Sequence, residues 1–233
     1  GIFSDSGQSL PAGNTGDIDH ADVNNDGFND LIVQQGNAPI VLLMNSGTGT
    51  FSVSPQTFND PSSTIAVAFG DFDGDGDIDL AEGDNSFVTV WANNGSGVFA
   101  DAMEPVANDY GLSGLEAVDV SGDGQTDLVL ATGLGLDLRT FTTGLANSSV
   151  GTLGSSEFFA TATADFNNDG QPELDIIAVG ASSTALVSAG ALSWNDEVSG
   201  LNGADSIAVG DFDGDGDIDV ALGGGGVWLN ATN

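Results

Sequence analysis

Five short acidic segments recur along the 233-residue chain at a nearly constant interval, and that interval constrains the fold more than any other feature. They begin at Asp22 (DVNNDGFND), Asp71 (DFDGDGDID), Asp119 (DVSGDGQTD), Asp165 (DFNNDGQPELD) and Asp211 (DFDGDGDID), at spacings of 49, 48, 46 and 46 residues. Such a period is too long for a solenoid coil and suits one four-stranded propeller blade. Each acidic loop follows a short β-type run (TIAVAFG, FFATATA, SIAVG) and precedes another (DLIV, DLAE, DLVL, DIIAV, DVAL). Residues 40–52 and 88–100 then read as strand pairs joined by Asn/Gly turns, which supply the positive φ that tight hairpins need. The expectation is an all-β fold: a single β-propeller domain over residues 1–233 with about five four-stranded blades.

The two ends of the chain bear on closure. Laid head to tail, WLNATNGIF matches WANNGSGVF in length and turn position, and the step from 211 through the ends to 22 is 44 residues. The N-terminal strand is therefore expected to complete the last blade and hide the edges an open sheet exposes; the alternative is a segment of a larger propeller. Blades three and four lack the Asn-Gly hairpin, so their outer strands are the least defined by pattern.

The acidic loops share the frame D-x-[D/N/S]-x-D-G-x-x-D, with side-chain oxygens at positions 1, 3, 5 and 9 and glycine at 6. Two carboxylates about 4–5 Å apart repel by roughly 3–4 kcal/mol at an effective dielectric near 20, so a folded loop of this kind calls for a cation. Calcium takes about six to eight oxygens and tolerates irregular geometry, whereas magnesium demands a strict octahedron. A backbone carbonyl near position 7 can complete the cage. The candidate ligands are Asp22, Asn24, Asp26 and Asp30; Asp71, Asp73, Asp75, Asp77 and Asp79; Asp119, Ser121, Asp123 and Asp127; Asp165, Asn167, Asp169 and Asp175; and Asp211, Asp213, Asp215, Asp217 and Asp219. Up to five Ca2+ ions are expected, held tightest in loops two and five, where position 3 is charged. In loop four Glu173 holds position 9 by count, but DIIAVG aligns with DLIV and DLVLATG, which favours Asp175 after a two-residue insertion. From Asp71 the run DFDGDGDIDLAE also fits an EF-hand loop ending at Glu82. That reading fails because the other copies carry Val33, Leu130, Ile176 and Leu222 there, and because the flanks are strand-like.

Composition narrows the function. Thirty-five acids stand against one basic residue, Arg139, for a net charge of −34, so nucleic acid and anionic membrane surfaces are repelled. No cysteine is present, which removes disulfides and thiol chemistry, and metal is the remaining staple. The opening GIFSDSGQSLPAG has neither an initiator Met nor a leader pattern, and no apolar run reaches membrane-spanning length, so a mature or excised soluble segment is expected. Near-absence of lysine with this much acid also suits a halophilic or marine source.

AFGDFDGDGDIDL and VGDFDGDGDIDV, with GNAP at 36–39, resemble the FG-GAP/VCBS-type repeats of integrin α-subunit heads, fungal propeller lectins and many bacterial secreted proteins. The resemblance implies calcium in loops on one rim of a β-propeller, with positions 1, 3, 5 and 9 as side-chain ligands. Members of that family more often have seven blades. It points to an extracellular or cell-surface binding or adhesion module with a glycan or protein ligand, a structural spacer being the alternative.

An enzyme is disfavoured by inventory: no cysteine or lysine, and a single histidine, His20, which aligns with Phe69, Ala117, Thr163 and Val209 on the strand entering the loop. Only a carboxylate pair, as in glycoside hydrolysis, is well supplied. Trp194, in an irregular segment, is the best single sugar-stacking candidate, whereas Trp91 and Trp228 share a third-strand position that suits core packing. NGS at 94–96, NSS at 147–149 and NAT at 230–232 are glycosylation sequons that count only in a eukaryotic secretory host.

Overall fold

The computed structural model describes residues 4–11, 16–36, 38–58, 64–101, 106–107, 111–142, 146–153, 157–166, 175–180, 184–188, 193–196 and 204–230. Every regular element among them is a β-strand, and the strands form five antiparallel sheets, one per acidic repeat, called blades below. Blade one is β1 (Ile18–Ala21), β2 (Asp30–Gln35), β3 (Ala38–Asn45) and β4 (Phe51–Val53), hydrogen-bonded in chain order. Blade two repeats this with β5 (Ala66–Gly70), β6 (Asp79–Gly83), β7 (Phe87–Asn93) and β8 (Phe99–Asp101), and adds a short β9 (Val106–Ala107) on β7.

Blade three is β10 (Leu112–Val118), β11 (Asp127–Thr132), β12 (Gly135–Thr142) and β13 (Ala146–Leu153). Blade four is β14 (Ala160–Ala164), β15 (Asp175–Val179), β16 (Thr184–Ser188) and β17 (Ser193–Asp196). Both therefore have outer strands without the Asn-Gly turn. Blade five has three described strands, β18 (Ile207–Gly210), β19 (Asp219–Leu222) and β20 (Gly226–Trp228). The N-terminal strand expected to complete it falls on residues 1–3, outside the described residues; residues 4–11 carry no strand.

The strands register as the hydrophobic alternation requires. Each acidic loop joins first strand to second, so Gly70 faces Asp79 and Gly210 faces Asp219 across the ladder. The cores lie between blades rather than within them. Val23, Ile32 and Leu42 of blade one meet Val67, Phe69, Leu80, Trp91 and Phe99 of blade two. Phe72, Ala81 and Val90 meet Leu112, Leu128, Leu130 and Phe141 across the second seam. Val120, Val129 and Leu138 meet Phe158, Ile176 and Ala178 across the third. Phe166, Ile177 and Val179 meet Ala204, Val220 and Leu222 across the fourth. Phe58, from the segment entering blade two, caps the first seam, edge-on to Trp91 at 5.4 Å and tilted on Phe99 at 5.7 Å.

Polar pairs stitch the same seams. Asp17 and Asp19 on the entry to β1 accept from the Val67 and Phe69 N–H groups of β5, and Glu116 of β10 accepts from the Thr161 and Thr163 hydroxyls of β14. These inner strands line a cavity of about 340 Å³ whose wall includes Asp17 and Glu116.

Candidate metal centres

The loop geometry follows from glycine placement. Gly76, Gly124 and Gly216 at position 6 take φ of 92°, 90° and 99°, which turns the chain back within each loop. Position 4 is also left-handed: Gly74, Gly122 and Gly214 in three loops, and Asn25 in the first, the one described non-glycine residue with positive φ (58°). Asparagine tolerates that region better than other side-chain-bearing residues.

The first aspartate braces the turn. Asp71 Oδ1 accepts from Gly74 N (2.8 Å) and Oδ2 from Gly76 N (3.0 Å). Asp119 does the same with Gly122 and Gly124, and Asp211 with Gly214 and Gly216. Asp22 accepts from Asp26 N and Gly27 N. Positions 3 and 5 each accept the N–H two residues on, through Asn24, Asp73 and Asp213 at position 3 and Asp26, Asp75, Asp123 and Asp215 at position 5. Each such carboxylate keeps lone pairs free for a cation. Ser121, at position 3 of the third loop, instead donates to Asp119 Oδ1 at 3.4 Å.

The ninth position does something its spacing alone does not reveal. Asp30, Asp79, Asp127 and Asp219 are fully buried, and each Oδ2 accepts from the position-2 N–H: Val23, Phe72, Val120 and Phe212. The other oxygen accepts from the far end of the third strand or just beyond it, at Asn45, Asn93, Phe141 and Asn230. One carboxylate thus ties the loop to two strands of its own blade. Asp175 takes the same Oδ2 bond, from Phe166 N at 3.1 Å, and opens β15 as the others open their second strands. It is the structural counterpart of position 9, while Asn167, Asp169 and Glu173 lie outside the described residues. Asp165 is described and half-buried.

Two loops gather carboxylates tightly. Oxygens of Asp71, Asp73 and Asp79 lie within 4.8 Å of one another, as do those of Asp211, Asp213 and Asp215. Burial first, and then neighbouring carboxylates against the relief of backbone hydrogen bonds, pushes Asp79 up to about 7. Burial likewise raises Asp73, Asp30 and Asp127 above the ordinary carboxylate range. A divalent ion among Asp71, Asp73 and Asp79 would offset that penalty, and the oxygen-only donor set suits a hard cation. Asp77 instead turns towards blade one, accepting from Asn25 Nδ2 at 3.0 Å, and Asp217 is buried.

Other single residues settle into structural roles. Glu82, twelfth from Asp71, is buried in β6, where its carboxylate accepts from Thr64 Oγ1 and Trp91 Nε1. His20 is exposed on β1, and Arg139 pairs with Asp137 two residues back on β12. Trp194 lies on β17; its side chain is outside the description. Pattern reading missed the amides that bridge elements: Gln8 brackets the backbone of Phe51, and Gln56, 48 residues on, brackets Phe99. Recurrence of glutamine at the repeat spacing was the available signal.

Sheets of four antiparallel strands, seams between successive sheets and one acidic loop per sheet define a propeller-like protein. Residues 22–82 match the model of the FG-GAP-like repeat. No curated protein sequence matches the chain. Among solved structures it is similar to an Agrocybe aegerita lectin described for specific recognition of non-reducing terminal N-acetylglucosamine, at TM-score 0.63 and 17% identity over 86% of this chain and 58% of that one. It is also similar to a Bacillus licheniformis rhamnogalacturonan lyase (TM-score 0.57, 14% identity, 93% of this chain and 45% of that one). A third is a biofilm matrix protein of V. cholerae (TM-score 0.52, 18% identity, 87% of this chain and 33% of that one). The chain thus spans less than two thirds of each of these structures.

Proposed function

We propose that this chain is a five-bladed, calcium-stabilised binding module that works outside the cell, with a glycan or an extracellular protein as its ligand. The observation that carries the reading is the convergence of Asp71, Asp73 and Asp79 within 4.8 Å, around a carboxylate whose affinity for protons is raised by burial. A brace from the first aspartate to the position-6 N–H and the ninth-position anchor recur in loops one, three and five. Calcium in such loops would hold first strand to second in each blade, in a chain without cysteine. The likeness to a lectin supports a glycan as the first ligand to test.

Binding is favoured over catalysis because several described carboxylates outside the loops are held in structural contacts. Asp17 and Asp19 hold β5, Glu116 holds β14, Glu82 sits in the first seam, Asp84 caps the turn at Ser86 and Phe87, and Asp137 pairs with Arg139. Calorimetric titration of chelator-treated protein with calcium, followed by glycan-array binding with and without EDTA, tests both halves. Saturable calcium binding with a large rise in melting temperature is expected. A melting curve unmoved by EDTA at low salt refutes the metal half, and turnover of a polysaccharide refutes the preference for binding over catalysis.

A further inference from the structure

Single amide side chains join neighbouring acidic loops. Across three seams the position-2 carbonyl of one loop accepts from an amide of the next blade: Val23 O from Asn93 Nδ2 at 2.7 Å, Phe72 O from Gln125 Nε2 at 2.8 Å, and Phe166 O from Asn230 Nδ2 at 2.8 Å. That carbonyl belongs to the peptide unit leading into position 3, so the bond fixes where Asn24 and Asp73 leave the backbone in the first two loops.

The same three residues also grip their own loops. Asn93 donates its backbone N–H to Asp79 Oδ1 and shares its side-chain amide with Ile78 O. The backbone N–H of Asn230 goes to Asp219 Oδ1, and that of Gln125, position 7 of loop three, goes to Asp123 Oδ1. Each residue therefore holds a candidate ligand of its own loop and the backbone beside a candidate ligand of the loop before. Two further bonds run the same way: Thr126 N donates to Asp71 O at 3.1 Å, and Asn25 Nδ2 to Asp77 Oδ1 at 3.0 Å.

Burial shows what the amides are kept for. Asn93 and Gln125 are buried, and Asn93 Oδ1 has no partner among the described residues. A buried acceptor without a partner is costly, and an apolar side chain would avoid that cost, so the asparagine is held for the loops its N–H groups join.

We infer that the loops fill with calcium cooperatively, with Asn93, Gln125 and Asn230 as positioning residues that pass the ordering of one loop to the next. The inference rests on the calcium reading above and adds a dependence of each site on its neighbours. A filled loop two holds Asp79, hence Asn93 and the Val23 carbonyl, so loop one presents a donor set already ordered. It also holds Asp71 and Asp73 on either side of Phe72, hence Gln125 and, through it, Asp123 of loop three. Filling a loop withdraws negative charge from its neighbour, which opposes the coupling. At about 0.15 M salt that effect is screened beyond about 8 Å, whereas the hydrogen bonds act at contact.

Calcium titration of the metal-free full chain by heteronuclear NMR in that salt, following the position-6 amides of Gly27, Gly76 and Gly124, reads three loops separately. In the wild type the three are expected to move together and more steeply than a one-site curve. Asp73→Ala removes a ligand of loop two alone, and should raise the calcium that half-fills loops one and three by about fivefold or more. In a Gln125→Met background, which removes the amide and keeps the bulk, Asp73→Ala should still shift loop one but no longer loop three. An Asn93→Leu background should give the mirror result, and circular dichroism checks that each variant is folded. A merely structural amide would weaken its own loop and leave the transmitted shift in place. Loops that fill independently in the wild type, or a loop-three shift that survives Gln125→Met, overturn the coupling and leave the calcium reading standing; glycine amides that ignore calcium altogether overturn both.

Discussion

Replacing Asp79 by asparagine should make the metal-free protein more stable and the calcium-loaded protein less so. Asp79 is fully buried, and burial with its carboxylate neighbours lifts it from 3.8 to about 7. Above that pH the ionised side chain costs the metal-free fold roughly 4 kcal/mol, at about 1.4 kcal/mol per tenfold change in proton affinity. Asparagine removes the charge and keeps the shape, but its oxygen can accept from only one of the two N–H groups, Phe72 or Asn93, that now bond the carboxylate. The bond lost to the amide nitrogen costs about 1–3 kcal/mol, which leaves a net gain near 1–3 kcal/mol. For a chain of this size each kcal/mol moves Tm by about 2–4 °C, so Tm in EDTA near pH 8 should rise by roughly 2–12 °C. With calcium the order reverses. A site filled at one hundred times its Kd contributes about 2.7 kcal/mol, and the variant forfeits most of that at this loop. Paired melting curves in EDTA and in calcium decide the matter. If Asp79→Asn lowers Tm equally in both, or if calcium raises the variant's Tm as far as the wild type's, the carboxylate is a structural hydrogen-bond acceptor and no cation answers its burial.

Three further outcomes follow from the same geometry. A carboxyl raised in the fold binds its proton more tightly there than in the unfolded chain, so its contribution is complete below 3.8 and lost as pH rises through about 7. Metal-free protein should therefore lose Tm from about pH 4 to about pH 7 and level off above, and calcium, which needs the ionised form, should flatten or invert that slope; a pH-independent Tm in EDTA contradicts it. Phe58→Ala, which empties a buried cap between Trp91 and Phe99, should cost about 3–5 kcal/mol in denaturant unfolding. Leu10→Ala, at the exposed residue one repeat before Phe58, should cost no more than about 1 kcal/mol, and equal losses would contradict the difference in burial. Asn25→Gly should relieve the positive φ yet remove the contact with Asp77 on the neighbouring loop, for a net change within about 1 kcal/mol in Tm measurements; a larger loss would mark that contact as a main tie between blades.

Much of the architecture is legible in the chain because its signals are local. The acidic segments, their glycine at position 6 and the short strand runs on either side act within a few residues, and the structure places a strand before and a strand after each segment. The Asn/Gly turns after Asn45 and Asn93 did the same for two hairpins. Where those turns were missing, in blades three and four, β13 and β17 were beyond pattern, because outer strands there are specified by pairing partners rather than by a turn.

Sequence alone determined the repeat, its period and the side-chain oxygens each acidic loop carries, since each depends on spacing along one segment. Tertiary structure decided what those residues are for besides. It made the ninth aspartate a buried tie to the third strand, gave Asp175 the same bond from the position-2 N–H in blade four, and assigned Glu82 to Thr64 and Trp91. It also left Phe212 exposed while Val23, Phe72, Val120 and Phe166 are buried. These outcomes depend on which surfaces meet across the seams, and burial is a property of contacts between segments tens of residues apart that spacing within a repeat does not encode.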